Sequence, residues 1–81
     1  MIEHNARVYS LHYGTRTTSL ATVRPDERYP EMYRIHWPDG IMSDMVNLTR
    51  AKDAAKAIAA RKLSTSTSVF DASRLKWKID H

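Results

Sequence analysis

Residues 31–47 read EMYRIHWPDGIMSDMVN, and the turn inside this stretch decides the fold. The tetrad Trp37-Pro38-Asp39-Gly40 has the composition of a tight chain reversal. Proline presets φ at the second position of a type I turn, aspartate suits the third, and glycine takes the left-handed position that follows. The tetrad therefore predicts a three-residue hairpin loop with a bulge at the glycine, and this loop fixes the register of the two flanking strands.

The register predicted by this loop sets Trp37 opposite Ile41, Ile35 opposite Ser43, and Tyr33 opposite Met45. A two-residue Asp-Gly turn would instead bring an aspartate onto the apolar face, so the longer loop separates the faces better. The pairing predicts one face that packs in the core and consists of Tyr33, Ile35, Trp37, Ile41 and Met45. The second face then carries Met32, Arg34, His36, Met42, Asp44 and Val46, with Arg34 and Asp44 as a cross-strand pair.

The sequence LTRAKDAAKAIAARKL, which follows at 48–63, predicts an amphipathic helix over 50–62 with Thr49 as its N-cap. Alanine has the highest helix propensity, and small side chains let a helix lie close to a sheet. The stripe expected to cover the sheet consists of Leu48, Ala51, Ala55, Ile58 and Ala59.

Three further segments predict strands, at 7–13, 19–24 and 74–80. The first two are rich in residues that favour strands, and the third alternates apolar and polar residues strictly. Leu20 in the second of them is a further candidate for the core. The polar run STSTS at 64–68 predicts a linker. The last strand either joins the sheet edge or pairs with a second copy of the chain.

Together these segments predict an α+β fold, in which a small antiparallel sheet of three to four strands packs against one alanine-rich helix. The four expected strands are 7–13, 19–24, 31–37 and 41–47, and a C-terminal strand is possible. We expect one domain over 1–63, followed by a polar linker and a basic tail over 64–81.

The strand hairpin followed by LTRAKDAAKAIA resembles the layout of the AP2 and integrase-type DNA-binding domains over residues 19–62. In that family the helix packs its alanines on a three-stranded sheet, and Leu48, Ala51, Ala54 and Ala55 match that pattern. This chain has Val46 where the family usually has glycine. The resemblance implies a sheet that contacts DNA.

Composition excludes several classes of protein. The 81 residues contain no cysteine, so neither a disulfide nor a cysteine-based zinc site can form, and no two histidines are spaced as a local metal-ligand pair. The sequence has no signal peptide and no apolar run long enough to cross a membrane, which predicts a cytoplasmic protein without membrane contact. It contains no nucleophile elbow and no glycine-rich phosphate loop, so we expect no enzyme, no cofactor, no metal and no small-molecule substrate.

The net charge of +4 is uneven along the chain, because residues 50–81 hold eight Lys or Arg against three Asp. This asymmetry favours an anionic partner, DNA or RNA. The candidate contact residues are Arg34, His36, Arg50, Lys52, Lys56, Arg61, Lys62, Arg74, Lys76 and Lys78, with Arg7, Arg16, Arg24 and Arg28 nearby. The alternative is a protein-interaction or accessory protein, possible as a homodimer, whose contact surface would be Met32, Met42, Val46, Leu75, Trp77 and Ile79.

Overall fold

The computed structural model describes residues 7–16, 18–66 and 69–80. Its four strands form one antiparallel sheet, in which the order of strands is β3-β2-β1-β4. One long helix and a single turn of 3-10 helix complete the described chain. The elements are β1 (Val8–Tyr13), β2 (Ala21–Pro25), β3 (Tyr33–His36), α1 (Leu48–Ser66), the 3-10 turn (Ala72–Arg74) and β4 (Leu75–Asp80). The α+β class and the C-terminal strand are therefore confirmed, and β4 lies beside β1 at the edge of the sheet.

The Pro-Asp-Gly loop forms as predicted. Gly40 has a φ of 91°, its N–H donates to the Trp37 carbonyl over 3.0 Å, and the Trp37 N–H donates to the Ile41 carbonyl over 2.9 Å. The predicted register continues as far as Ser43, whose N–H donates to the carbonyl of Ile35 over 2.9 Å.

The predicted fourth strand at 41–47 is wrong, because this segment makes only isolated bridges to β3 in the described structure. The side-chain oxygen of Ser43 accepts the Ile35 N–H over 2.8 Å, and the Ser43 carbonyl accepts from the Arg34 side chain instead. This exchange interrupts the regular ladder, and beyond it Tyr33 pairs with Val46 rather than with Met45.

The shifted register changes which side chains enter the core. Val46, expected on the second face, packs against the core, and Met45 is only half-buried. Ile41, expected in the core, is 63% exposed although its pairing with Trp37 is the predicted one, so its exposure does not come from the register shift. Tyr33 and Ile35 are buried as predicted.

Helix α1 is longer than predicted at both ends. Its N-cap is Asn47 rather than Thr49, since the Asn47 side chain accepts the N–H of Arg50 over 2.8 Å. At its other end the helix continues through Ser66 into the predicted linker, where three hydroxyls donate to the carbonyls three residues earlier. Residues 67 and 68 of that linker lie outside the described residues.

The core lies between α1 and one side of the sheet. Ala51, Ala55 and Ala59 are buried against it, whereas Ile58 is half-buried and contributes little. Because side chains alternate along a strand, the strand pairing puts one set of residues on this side. The buried members of the set are Leu11, Tyr13, Ala21, Val23, Tyr33, Ile35 and Leu75, with Tyr9, Leu20, Trp37, Leu48 and Trp77 packed partly buried around them.

Within the described part of the chain, α1 lacks the continuous apolar length that a membrane-spanning helix requires.

Candidate nucleic-acid interface

The side of the sheet that faces away from α1 is polar and basic. Every second side chain of the four strands points to this side, and the strand register determines which of them are cross-strand neighbours. We call this surface the open sheet face and define it by Ser10, His12, Thr22, Arg24, Arg34, His36, Lys76 and Lys78. Strand pairing thus brings together cations from β2, β3 and β4 that are far apart in the sequence.

One row of this face crosses the whole sheet. Lys78 pairs with Ser10, Ser10 with Thr22, and Thr22 with His36. Ser10 is buried in the central strand, whereas Lys78 at the edge is exposed. The middle of the face, at Ser10 and His12, is therefore largely closed to solvent, and the exposed basic side chains of Arg24 and Lys78 lie on its two flanks.

Arg24 and Arg34 form a second pair, directly opposite each other on β2 and β3. Like charges in this position repel and destabilise the sheet slightly. Arg24 is exposed, and the Arg34 side chain is 27% exposed. An anion that bound here would relieve the repulsion.

Arg34 is held in place by Asp26 rather than by Asp44, so the predicted cross-strand pair is wrong. Its Nε donates to Asp26 Oδ1 over 2.8 Å, and its Nη1 donates to the Ser43 carbonyl over 2.9 Å. The hydrogen bond from Arg34, together with the N–H groups of Arg28 and Tyr29, lowers the pKa of Asp26. The carboxylate therefore stays ionised and fixes both Arg34 and the loop after β2.

A hollow of about 530 Å³ opens at the β3 end of the open sheet face. Its basic lining comes from Arg24, Arg28, Arg34 and His36. Tyr29, Met42 and Met45 add an aromatic ring and two flexible thioethers, and Asp26 and Glu27 complete one wall with Pro25. The hollow combines positive charge with exposed apolar surface.

His36 lies in the lining of the hollow, near the charges of Arg24 and Arg34. Partial burial disfavours its charged form, and the positive charges of Arg24 and Arg34 add to the effect, so the pKa of His36 lies below its usual value of 6.5.

This lowered pKa predicts how stability depends on pH. The unfolded chain binds the proton more readily than the folded chain, so protonation of His36 favours unfolding as the pH falls below about 6.5. In urea unfolding between pH 7.5 and 5, the wild type should lose stability relative to His36→Gln, which cannot be protonated. A gap between the two proteins that stays constant or moves in the opposite direction would contradict the lowered pKa.

The other predicted nucleic-acid contacts lie away from the open sheet face. Arg50, Lys52, Lys56, Arg61 and Lys62 belong to α1 on the opposite side of the sheet. Three of the predicted cations lie over aromatic rings: Lys62 Nζ is 4.2 Å from the centre of Trp37, Lys52 Nζ is 4.9 Å from Tyr9, and Arg74 Cζ is 5.4 Å from Tyr13. These contacts give the three cations a packing role.

The residues predicted for protein interaction do not form one surface. Leu75 is buried and Val46 packs on the core, so neither is free for a partner. Met42 is 52% exposed beside the hollow, whereas Ile79 is 46% exposed on the helix side of β4. The other two members, Met32 and Trp77, are half-buried.

The sequence pattern missed part of this site. The sequence pattern places Arg24 and Arg28 only near the candidate contact residues, and it gives no signal for Tyr29. The alternation in β2 could have placed Arg24 opposite the core, but its pairing with Arg34 depends on the strand register. Tyr29 is on a loop, where no periodicity indicates which side chains are exposed together.

Comparison with known proteins finds no matching family model, curated protein or solved structure. The resemblance to AP2 and integrase-type domains therefore stays a prediction, and a functional proposal depends on the chemistry of the open sheet face.

Proposed function

We propose that this protein is a non-enzymatic module that binds nucleic acid through its phosphates, using the open sheet face. The observation that carries the proposal is the presence of Arg24, Arg34, Lys76 and Lys78 on one side of a paired sheet that α1 leaves uncovered. Cations held on a rigid element neutralise phosphates and release condensed counterions, which drives binding.

The dimensions of the face suit a polyanion with several charges. Neighbouring strands are about 4.8 Å apart, so the outer strands of a four-stranded sheet lie about 14 Å apart. Basic side chains at Lys78 and at the Arg24–Arg34 pair therefore flank a polar middle strand that carries Ser10. Arginine and lysine side chains are among the groups that usually contact phosphate oxygens.

A protein-binding role is the second candidate, and the outer edge of β4 favours it. Ile79 on this strand is 46% exposed, and β4 has its described neighbour on one side, at β1. The same strand carries Lys76 and Lys78, and lysines on an edge strand discourage pairing with another chain. The charge of β4 therefore favours nucleic acid over strand addition.

The test is a binding titration of the full chain with a fluorescent 20-nucleotide single strand of mixed sequence, followed by anisotropy. Four phosphate contacts predict that the affinity falls about 50-fold between 50 and 200 mM salt. Light scattering on the same samples reports self-association. A failure to bind at 50 mM salt, or an affinity insensitive to salt, would refute the proposal, and a salt-tolerant dimer would favour the second candidate.

A further inference from the structure

The hollow at the β3 end of the open sheet face has two exposed side chains that are not needed for binding phosphate. Tyr29 is 57% exposed and Met42 is 52% exposed, and both line the hollow. Its volume of about 530 Å³ falls within the range of about 300–1,000 Å³ that small-molecule sites occupy. An exposed aromatic ring and a thioether that line one hollow offer surfaces against which a flat ring can pack.

The loop that carries Tyr29 is held by hydrogen bonds along its length. Asp26 Oδ2 accepts the N–H of Tyr29 over 3.1 Å, and the Tyr29 carbonyl accepts the N–H of Met32 over 2.8 Å. The N–H of Asp26 in turn donates to the Met32 carbonyl over 2.8 Å, which closes the loop. Tyr29 therefore projects from a loop that hydrogen bonds hold closed. Its side chain takes no part in the packing of the core.

The charged side chains around this apolar surface are basic on balance, since three arginines outnumber Asp26 and Glu27. Arg24 and Arg28 line the hollow and are both exposed, and Arg34 is oriented by Asp26. A nucleotide unit has the matching chemistry, since it joins a flat base to phosphates on either side. In a duplex the bases are stacked and paired inside the helix, so only an unpaired base can enter such a hollow.

We propose that the hollow seats one unpaired base, stacked on Tyr29 and contacted by Met42, so that the preferred ligand is a single strand. This inference rests on the proposed function and deepens it, because the open sheet face supplies the phosphate contacts and the hollow adds a contact to a base. Stacking on an aromatic ring tolerates any base, so we expect little sequence preference.

The experiment compares three probes of equal length by anisotropy at 50 mM salt: a single strand, the same strand with abasic sites throughout, and the duplex. The wild type should bind the single strand more tightly than the abasic strand. Tyr29→Ser should weaken single-strand binding about tenfold and leave abasic binding unchanged. Tyr29→Phe, which keeps the ring, should bind as the wild type does, and so should Ile41→Ser, which changes a side chain outside the hollow.

The outcomes separate this inference from the proposed function. Equal affinity for the single strand and the abasic strand, or no effect of Tyr29→Ser, would overturn the base site while leaving phosphate binding in place. Tighter binding to the duplex than to the single strand would overturn it as well. A failure to bind all three probes would refute the proposed function itself.

Discussion

Replacing Leu11 with alanine is expected to destabilise the protein by about 3 kcal/mol, because large-to-small changes in a packed core cost about 2–5 kcal/mol. Leu11 is fully buried in the central strand, where it pairs with Ala21 on one side and Trp77 on the other. Its strand neighbour Ala21 is too small to fill the space that the change would leave. A chain of this length has modest stability, so the loss is a large part of the total.

Urea unfolding followed by circular dichroism measures the effect, and Ile41→Ala is the matched control. Ile41 is also aliphatic and was expected in the core, but it is 63% exposed. Its truncation should change the free energy of unfolding by less than about 0.5 kcal/mol. Equal losses in the two variants would contradict the structure's division between buried and exposed positions.

Reversing two charges on the open sheet face, in the double variant Arg24→Glu and Lys78→Glu, should abolish most nucleic-acid binding. Each change removes one phosphate contact and adds a charge that repels phosphate, so the affinity for a single strand should fall about 100-fold or more at 50 mM salt. Both side chains are exposed, so the fold should remain intact.

The control for this variant is the double variant Lys56→Glu and Arg61→Glu, which has the same net charge. Both residues are exposed on α1, on the other side of the sheet. Their reversal should weaken binding by only a few-fold, through the overall field of the protein. Equal losses in the two double variants would show that net charge alone drives binding and would refute the sheet-face proposal.

Ile41, which was expected in the core and is exposed, and the segment after it show how far the sequence could predict this fold. The Pro-Asp-Gly loop has a strong local signal, and the pairing that it sets is correct as far as Ser43. Beyond that residue, a serine side chain takes the place of a backbone carbonyl, and nothing in the hydrophobic pattern indicates such an exchange. The same limitation explains the helix start at Asn47, since several polar residues before a helix can serve as its cap.

The candidate site was harder to predict than the fold, because it depends on which strands are neighbours. The pairing of Lys78 with Ser10 joins residues from opposite ends of the described chain, and no local pattern specifies it. Charge alone also could not separate the lysines of α1 from those of β4. Lys52 and Lys62 lie over aromatic rings, a contact that is visible only once the sheet and helix are packed together.

The position of β1 between β2 and β4 affects the rate at which this chain folds. Val8 pairs with Asp80, and Tyr13 pairs with Leu75. The pairing of β1 with β4 therefore requires contacts between residues that are separated by most of the described chain. Contacts between distant residues slow the search for the native state, and we infer slower folding than in a helical bundle of equal length. Until β4 docks, the backbone of β1 presents a bare edge on which two partly folded chains could aggregate.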